Sequence, residues 1–385
     1  VQSSEEHPGR LKTCLSCKAA GRVMFGQFRE PAREVRAVTV SDVHVLAQSM
    51  IQHAERRRLL VFADNRQDAA FQAGWMRDHA RRYRLRGLMY NRIKTGKVSI
   101  GDLVGHLDDE LDRDDDLSEA LLPEVWRVAR KDALGEQHPS LRRRFLRVQV
   151  LREFTVGNRQ RIGLEPWGRA RVRYHGLRPE LPFMTSWAAQ LGCTPEALFD
   201  GVSSLLDATR RGRVLFDRDT NLYSNYWHDS DREVQQGIIP MVQGGPRGLK
   251  LTRTVDDHKT FVQQWFGARG DSVARQAARR WGVKPIDMPA FFQELWTLLT
   301  DELRLLVPVN LLGGRQRVLP GTRDVRQINA DMLEVEPNAG LYRCDTCRRT
   351  HVRATPNLAC MAWHCRGTLR LEQEDALDRA AFGLA

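Results

Sequence analysis

Cysteine spacing narrows the possibilities for this chain further than any other pattern in it. Of seven cysteines, six fall in close pairs: Cys14 with Cys17, Cys344 with Cys347, and Cys360 with Cys365. In a chain without secretory features, such pairs read as metal ligands rather than disulfides. Twelve residues separate Cys347 from Cys360. Two knuckles joined by a hairpin spacer would place four thiolates around one tetrahedral zinc ion. Because protein sulfur fills every position, no site remains to activate water, and the zinc is expected to be structural. Tyr342 and Trp363 suit strands beside the knuckles, and His351 and His364 are spare ligands that four thiolates do not need. Cys14 and Cys17 supply half a site, with His7 the other nearby ligand. Either upstream residues complete it or the pair is a remnant; a redox role is disfavoured because Leu11-Lys12-Thr13 is a poor strand. Cys193 stands alone in apolar surroundings and is expected to be a packed core thiol.

The chain has 385 residues, enough for several modules, and a formal charge of +12. Only eight of its 60 basic residues are lysine, so arginine supplies 52. Guanidinium groups pair with phosphate in bidentate fashion, which makes nucleic acid the natural partner for such a surface, although a solvated arginine-rich face is the plainer alternative. No apolar run is long enough to span a bilayer, and Val1 to Arg10 lack a secretory pattern, so no membrane partner and a cytoplasmic location are expected. The start at Val1, without methionine, suggests a segment of a longer protein.

Hydrophobic period sorts the rest. Ser41 is placed to cap a helix in which Val43, Leu46, Ala47, Met50, Ile51 and Ala54 recur at helical spacing. Leu59 to Ala63 is then a continuous apolar run, as in a strand buried on both faces of a parallel sheet, and Asp64 to Asp68 break it before another helix. Residues 95–175 read as helical and polar, and the acidic run Asp108 to Asp116 as solvated. From Leu181 to Trp227 a short helix, a turn at Gly192, a helix from Thr194 to Arg211 and two strands flanking Asp217 to Asn221 spell a winged helix, with Leu198, Val202, Leu205 and Leu206 facing inward. Its basic end, Arg210, Arg211 and Arg213, is the expected nucleic-acid contact; winged helices also act as protein-protein spacers. Residues 258–307 read as helical, with Phe291, Phe292, Leu295, Trp296, Leu299 and Leu303 as core and Pro308 as the stop. Gly168-Arg169-Ala170-Arg171 superficially resembles an arginine-finger motif but reads as a decoy, because the alternating Val172-Arg173-Tyr174 follows it rather than the opening of a helix. A phosphate-binding loop, a magnesium-holding Asp-Glu pair and a nucleophile-base grouping are all missing, and Asp109-Glu110 and Asp301-Glu302 read as solvated faces.

The stretch LLVFADNRQDAAFQA, residues 59–73, resembles motif IV of superfamily 2 helicases, which opens the second RecA-like lobe. VFADNRQDAAFQAG is similar to a subset of very large prokaryotic DEAD/DEAH-type helicases of DNA repair or phage defence. The resemblance implies that Asn65, Arg66 and Gln67 line the nucleic-acid track or the cleft between lobes; the alternative is a plain helix cap. It also implies that ATP and magnesium bind only in the intact parent motor, whose remaining domains would be partners. The expected fold is α+β and mostly helical. It comprises a cysteine segment (1–36), a partial RecA-like element (37–94), a helical insertion (95–180), a winged helix (181–250), a helical region (251–335), a four-cysteine zinc ribbon (336–375) and a tail (376–385). The expected function is DNA binding, single- or double-stranded, within a helicase and without autonomous ATP hydrolysis; the alternative is a non-enzymatic scaffold for protein partners.

Overall fold

The computed structural model describes residues 3–4, 7–11, 22–24, 27–29, 81–122, 138–155, 163–212, 214–217, 248–251, 262–265, 272–309, 324–338 and 340–372. Cys14, Cys17, Asn65, Arg66, Gln67, Arg213 and the whole motif IV stretch lie outside them. The chain divides into two units, Val1–Arg84 and Leu85–Ala385. In the first, β1 (Ser3–Ser4) pairs with β2 (His7–Leu11) and β3 (Arg22–Met24) with β4 (Gln27–Arg29), both antiparallel.

The second unit is mixed α+β, with helices around small sheets. Residues 85–93 are helical (α1), and Leu85, Met89 and Ile93 recur every four residues to bury one face. After β5 (Val98–Ser99), α2 (Ile100–Asp112) starts where the Ser99 hydroxyl accepts the Asp102 N–H at 3.0 Å. It buries Leu103, Val104, Leu107 and Leu111, and α3 (Asp115–Leu121) follows. The basic helix α4 (His138–Thr155) corrects the reading of the acidic run. Asp109 and Asp112 to Asp116 are exposed, but Asp108 is buried against Arg142 and receives Arg143 Nε at 2.6 Å, while Arg142 Nη2 reaches Asp112 at 3.0 Å. A buried carboxylate needs such partners to offset its lost hydration.

β5 and β6 (Ala170–Tyr174) depart from the helical reading of residues 95–175; in β6 Ala170, Val172 and Tyr174 point inward and Arg171 and Arg173 outward, the alternation of a strand with one buried face. The strand lies antiparallel to one side of β12 (Leu333–Pro337), whose other side takes β5. Arg171 faces Glu336 across the ladder at 2.6 Å, and Lys97 meets Glu334 at 2.9 Å.

Helices α5 (Pro182–Leu191) and α6 (Pro195–Arg211) lie where periodicity and capping place them. Gly192 takes a left-handed φ of 66° between them, and the Thr194 hydroxyl caps α6 through the Ala197 N–H at 3.2 Å. Leu198, Val202, Leu205 and Leu206 are buried, as expected. The strand expected at 214–216 is present as β7 (Leu215–Phe216), but it runs parallel to β11 (Arg326–Asn329), and its expected partner, Leu222-Tyr223, lies outside the described residues.

Residues 251–335 depart from the all-helical expectation. Helices α7 (Val273–Trp281) and α8 (Met288–Thr297) alternate with β9 (Val262–Gln264), β10 (Leu306–Pro308), β11 and β12, and β8 (Gly248–Lys250) just precedes them. The sheet order is β10-β11-β8-β9, with β7 also on β11. Strands of three to five residues carry too few positions to register as a period, and their pairing is set by residues far along the chain. Pro308 closes β10 rather than a helix; α8 instead runs into a single π-helical stretch, Leu298–Glu302, followed by Arg304 at φ 52°. Phe291, Phe292, Leu295 and Leu299 are core, and Trp187 packs edge-on to Phe291 at 5.1 Å. Among the described residues no helix is long and apolar enough to cross a membrane.

Candidate metal centre

The last described segment folds on β13 (Tyr342–Cys344), flanked antiparallel by β14 (Thr350–His351) and β15 (Leu369–Leu371). Cys344 ends β13, and the turn that follows returns Cys347 toward it. Cys360 and Cys365 bracket a second turn just before β15. All four sulfur atoms lie within 4.8 Å of one another, with Cys344 Sγ to Cys365 Sγ and Cys347 Sγ to Cys360 Sγ both at 3.6 Å. Sulfurs about 2.3 Å from a central ion in a regular tetrahedron are about 3.8 Å apart, whereas a disulfide would need about 2.05 Å. The spacing therefore fits four ligands around one metal ion.

Backbone donors complete the cage. The N–H groups of Cys347, Ala362 and Gly367 point at the sulfurs of Cys344, Cys360 and Cys365 at 3.5, 3.4 and 3.4 Å. Burial alone would raise the Cys344 thiol, but the N–H groups of Cys347 and Thr346 bring it below its ordinary value. Cys360 has only its Ala362 donor against burial and neighbouring sulfur, and is pushed well up. Such clustered thiols ionise together only with a cation among them. His351 Nε2 stands 3.4 Å from Cys360 Sγ, its pKa lowered to about 4 by burial and by the charges of Arg211 and Arg349. A neutral imidazole here accompanies the cluster rather than replacing a thiolate.

Gly367 leaves no room for a side chain: a Cβ there would collide with Cys344 Sγ and come within 2.6 Å of Thr346 Oγ1 and 2.7 Å of Asp345 Oδ1. Gly367→Ala is expected to weaken metal affinity on the order of tenfold or more, the usual penalty for disturbing groups around a ligand set. Competition with a chromophoric chelator measures it; unchanged affinity would mean that the turn relaxes freely.

Helix α7 braces the second knuckle. Arg280 Nη1 donates to the carbonyls of Cys360 and Cys365 at 3.0 and 3.1 Å, and its Nη2 to those of Arg366 and Gly367 at 3.2 and 2.7 Å. One turn earlier, Gln276 donates to the Ala362 carbonyl at 3.0 Å and accepts the His364 N–H at 2.8 Å. Gln276 and Arg280 are four residues apart and so share a helix face. The first knuckle is tied to the core through Arg353, buried between the cysteine pairs. It donates to the Val172 carbonyl and to Asp207 Oδ2, the latter at 3.2 Å.

Asp207 belongs to a buried network that includes a residue expected on the surface. Arg210 is fully buried: its guanidinium spans both oxygens of Glu165 at 2.8 and 3.0 Å, donates to Asp207 at 3.0 Å and contacts the Tyr174 hydroxyl at 3.3 Å. This corrects its expected place at a nucleic-acid face, since every direction of its fork is taken inside the protein. The signal was in the sequence: Leu198, Val202, Leu206 and Arg210 recur every four residues, which puts Arg210 on the buried stripe of α6. Arg211, partly exposed, pairs with Glu165 at 3.1 Å and faces the metal module, where its charge is felt at His351. Asp109, Asp301 and Glu302 are exposed, as expected. Cys193 is partly buried against the core, and Trp363 sits in an exposed turn rather than a strand. Arg280, Gln276, Arg353 and Gly367 were not anticipated; for Arg353 no local pattern points to Asp207, 146 positions away.

Compared with protein-family models, curated proteins and solved structures, the chain matches none.

Proposed function

We propose that this chain is a nucleic-acid-binding segment of a superfamily 2 DNA helicase, built around a structural zinc module and without ATP hydrolysis of its own. The observation that carries the reading is the charge of the metal module. Arg348, Arg349, Arg366 and Arg370 are all exposed there, whereas its two acids, Asp345 and Glu372, are engaged with Thr346 and Arg343. Zinc is the ion that four clustered thiolates favour, since soft sulfur donors in tetrahedral array select it over harder cations. The motif IV resemblance at residues 59–73 supports a motor context, in which ATP and magnesium would bind to the rest of the parent protein. The α5–turn–α6 pair followed by β7 supports a winged-helix assignment, and Arg211 and Arg213 are the basic residues it can still offer to phosphate.

A second reading, a scaffold that binds protein partners, is favoured by the internal use of Arg210, which leaves the end of α6 less basic than its sequence. Fluorescence anisotropy with duplex and single-stranded DNA at two salt concentrations separates the two. The helicase reading expects affinity on the order of micromolar at moderate salt, with a steep salt dependence. Arg211→Gln with Arg213→Gln should weaken binding several-fold and flatten the plot of log affinity against log salt by about 0.9 for each phosphate no longer neutralised. Wild-type protein that binds neither DNA leaves the scaffold reading; a double variant that binds as wild type does removes α6 from the interface.

A further inference from the structure

We infer that Trp363 is a stacking platform for an unpaired base of a single-stranded nucleic acid, presented at the tip of the second metal knuckle. The inference rests on the nucleic-acid reading above and adds to it the class of strand and the residue that selects it.

Trp363 is 43% exposed, although an indole is among the most favourable groups to bury and the module has little apolar surface of its own. Its ring leans against that of His364, with centroids 4.3 Å apart and the planes tilted by 49°. The backbone on both sides is held: the Ala362 carbonyl and the His364 N–H are both engaged by the Gln276 side chain, the Ala362 N–H points at Cys360 Sγ, and the Cys365 N–H returns to the Ala362 carbonyl at 3.0 Å. His364 sits at φ 58°, a left-handed conformation that non-glycine residues seldom adopt. The turn thus accepts backbone strain and holds a large aromatic outward on a rigid frame, between two ligands of one ion. A pre-ordered aromatic loses little freedom when a flat partner covers it.

Charge selects the partner. Arg366 follows three residues later and is exposed, and Arg348 and Arg349 emerge from the first knuckle, whose sulfurs share the same cluster. An aromatic face among arginines suits a strand whose phosphates meet the guanidinium groups while a base lies on the ring. In a duplex the bases cover one another's faces, and this tip could then contribute only charge.

The test uses the full chain, a fluorescent short oligothymidylate, the same strand without bases, and a duplex. Trp363→Ala should weaken oligothymidylate binding about tenfold, whereas Trp363→Phe should stay within about threefold of wild type. Affinity for the abasic strand and the duplex should be unchanged, as should the salt slope, since stacking releases no counterions. Thermal melting confirms that both variants are folded, as an exposed side chain allows. Oligothymidylate binding that survives Trp363→Ala overturns the inference and leaves the nucleic-acid reading standing. So does an equal loss on the abasic strand, which would assign Trp363 to the shape of the turn or to another partner. Wild-type protein that binds none of the three probes overturns the parent reading, and this inference with it.

Discussion

Replacing Cys360 with serine is expected to lower bound zinc from one equivalent per chain to nearly none and to melt the module of β13, β14 and β15 while the rest of the second unit stays folded. The module's own apolar cluster consists of Cys344, Cys360 and Cys365 with Ala362 and Leu369, edged by Cys347 and Tyr342. That is far too little buried surface to repay the ordering of some thirty residues at roughly 1.5 kcal/mol each. A tetrathiolate zinc site supplies roughly 10–16 kcal/mol near neutral pH, so the metal decides whether this segment folds. Chelation of the wild-type protein should have the same effect. Zinc titration with a colorimetric reagent gives the stoichiometry, and amide exchange gives the location: protection should fall across 342–371 and at the end of α7, where Arg280 would be deprived of its four carbonyl partners, but persist in β6 and β12. Full zinc content in the variant, or unchanged exchange after chelation, would refute a metal-dependent fold.

The second large effect is expected from the buried charges. Arg353→Ala should lower stability by up to roughly 3–5 kcal/mol, because it removes one of the two guanidinium groups bonded to the buried Asp207 carboxylate and leaves it to Arg210 and the Tyr174 hydroxyl. The companion change Asp207→Ala would in turn take a carboxylate from Arg210 and Arg353, which keep Glu165 and Asp200 respectively. Paired removal in Arg353→Ala/Asp207→Ala should therefore be less damaging than the sum of the single changes, as a thermal-melting double-mutant cycle can establish. Additive losses would mean that the two residues act independently. The network also has a pH window. Burial would raise the Asp207 carboxyl, but Arg353 and Arg210 outweigh it and hold it well below the usual carboxylate range. Its contribution is fully present above the unfolded value near pH 4 and fades as pH falls below that. Tyr174 runs the other way: burial and the charge of Asp207 push its phenol well up. The neutral phenol stabilises below about pH 10, and that contribution is lost as pH rises through its raised folded value.

The two parts of this molecule that could be read in advance are local. Knuckles close over three to five residues, so the spacing of Cys344, Cys347, Cys360 and Cys365 already encodes the cluster. The hairpin of α5 and α6 follows from a repeating apolar stripe, a glycine free to turn left-handed and a threonine cap. Each depends on residues within a few positions of one another, where backbone geometry alone decides who meets whom.

What the chain's order of residues determined by itself, then, was where helices begin, which faces are apolar and which sulfurs gather. Only the tertiary structure decided the partners of the charges. It took Arg210 from an apparent basic surface into a carboxylate pocket, buried Asp108 between two arginines of a distant helix, joined β5, β12 and β6 from three remote segments, and set Arg280 and Gln276 around a knuckle some eighty positions away. Burying a charge is unfavourable until a partner arrives, and that partner is chosen by the packing of whole elements, over distances along the chain at which no local pattern carries information.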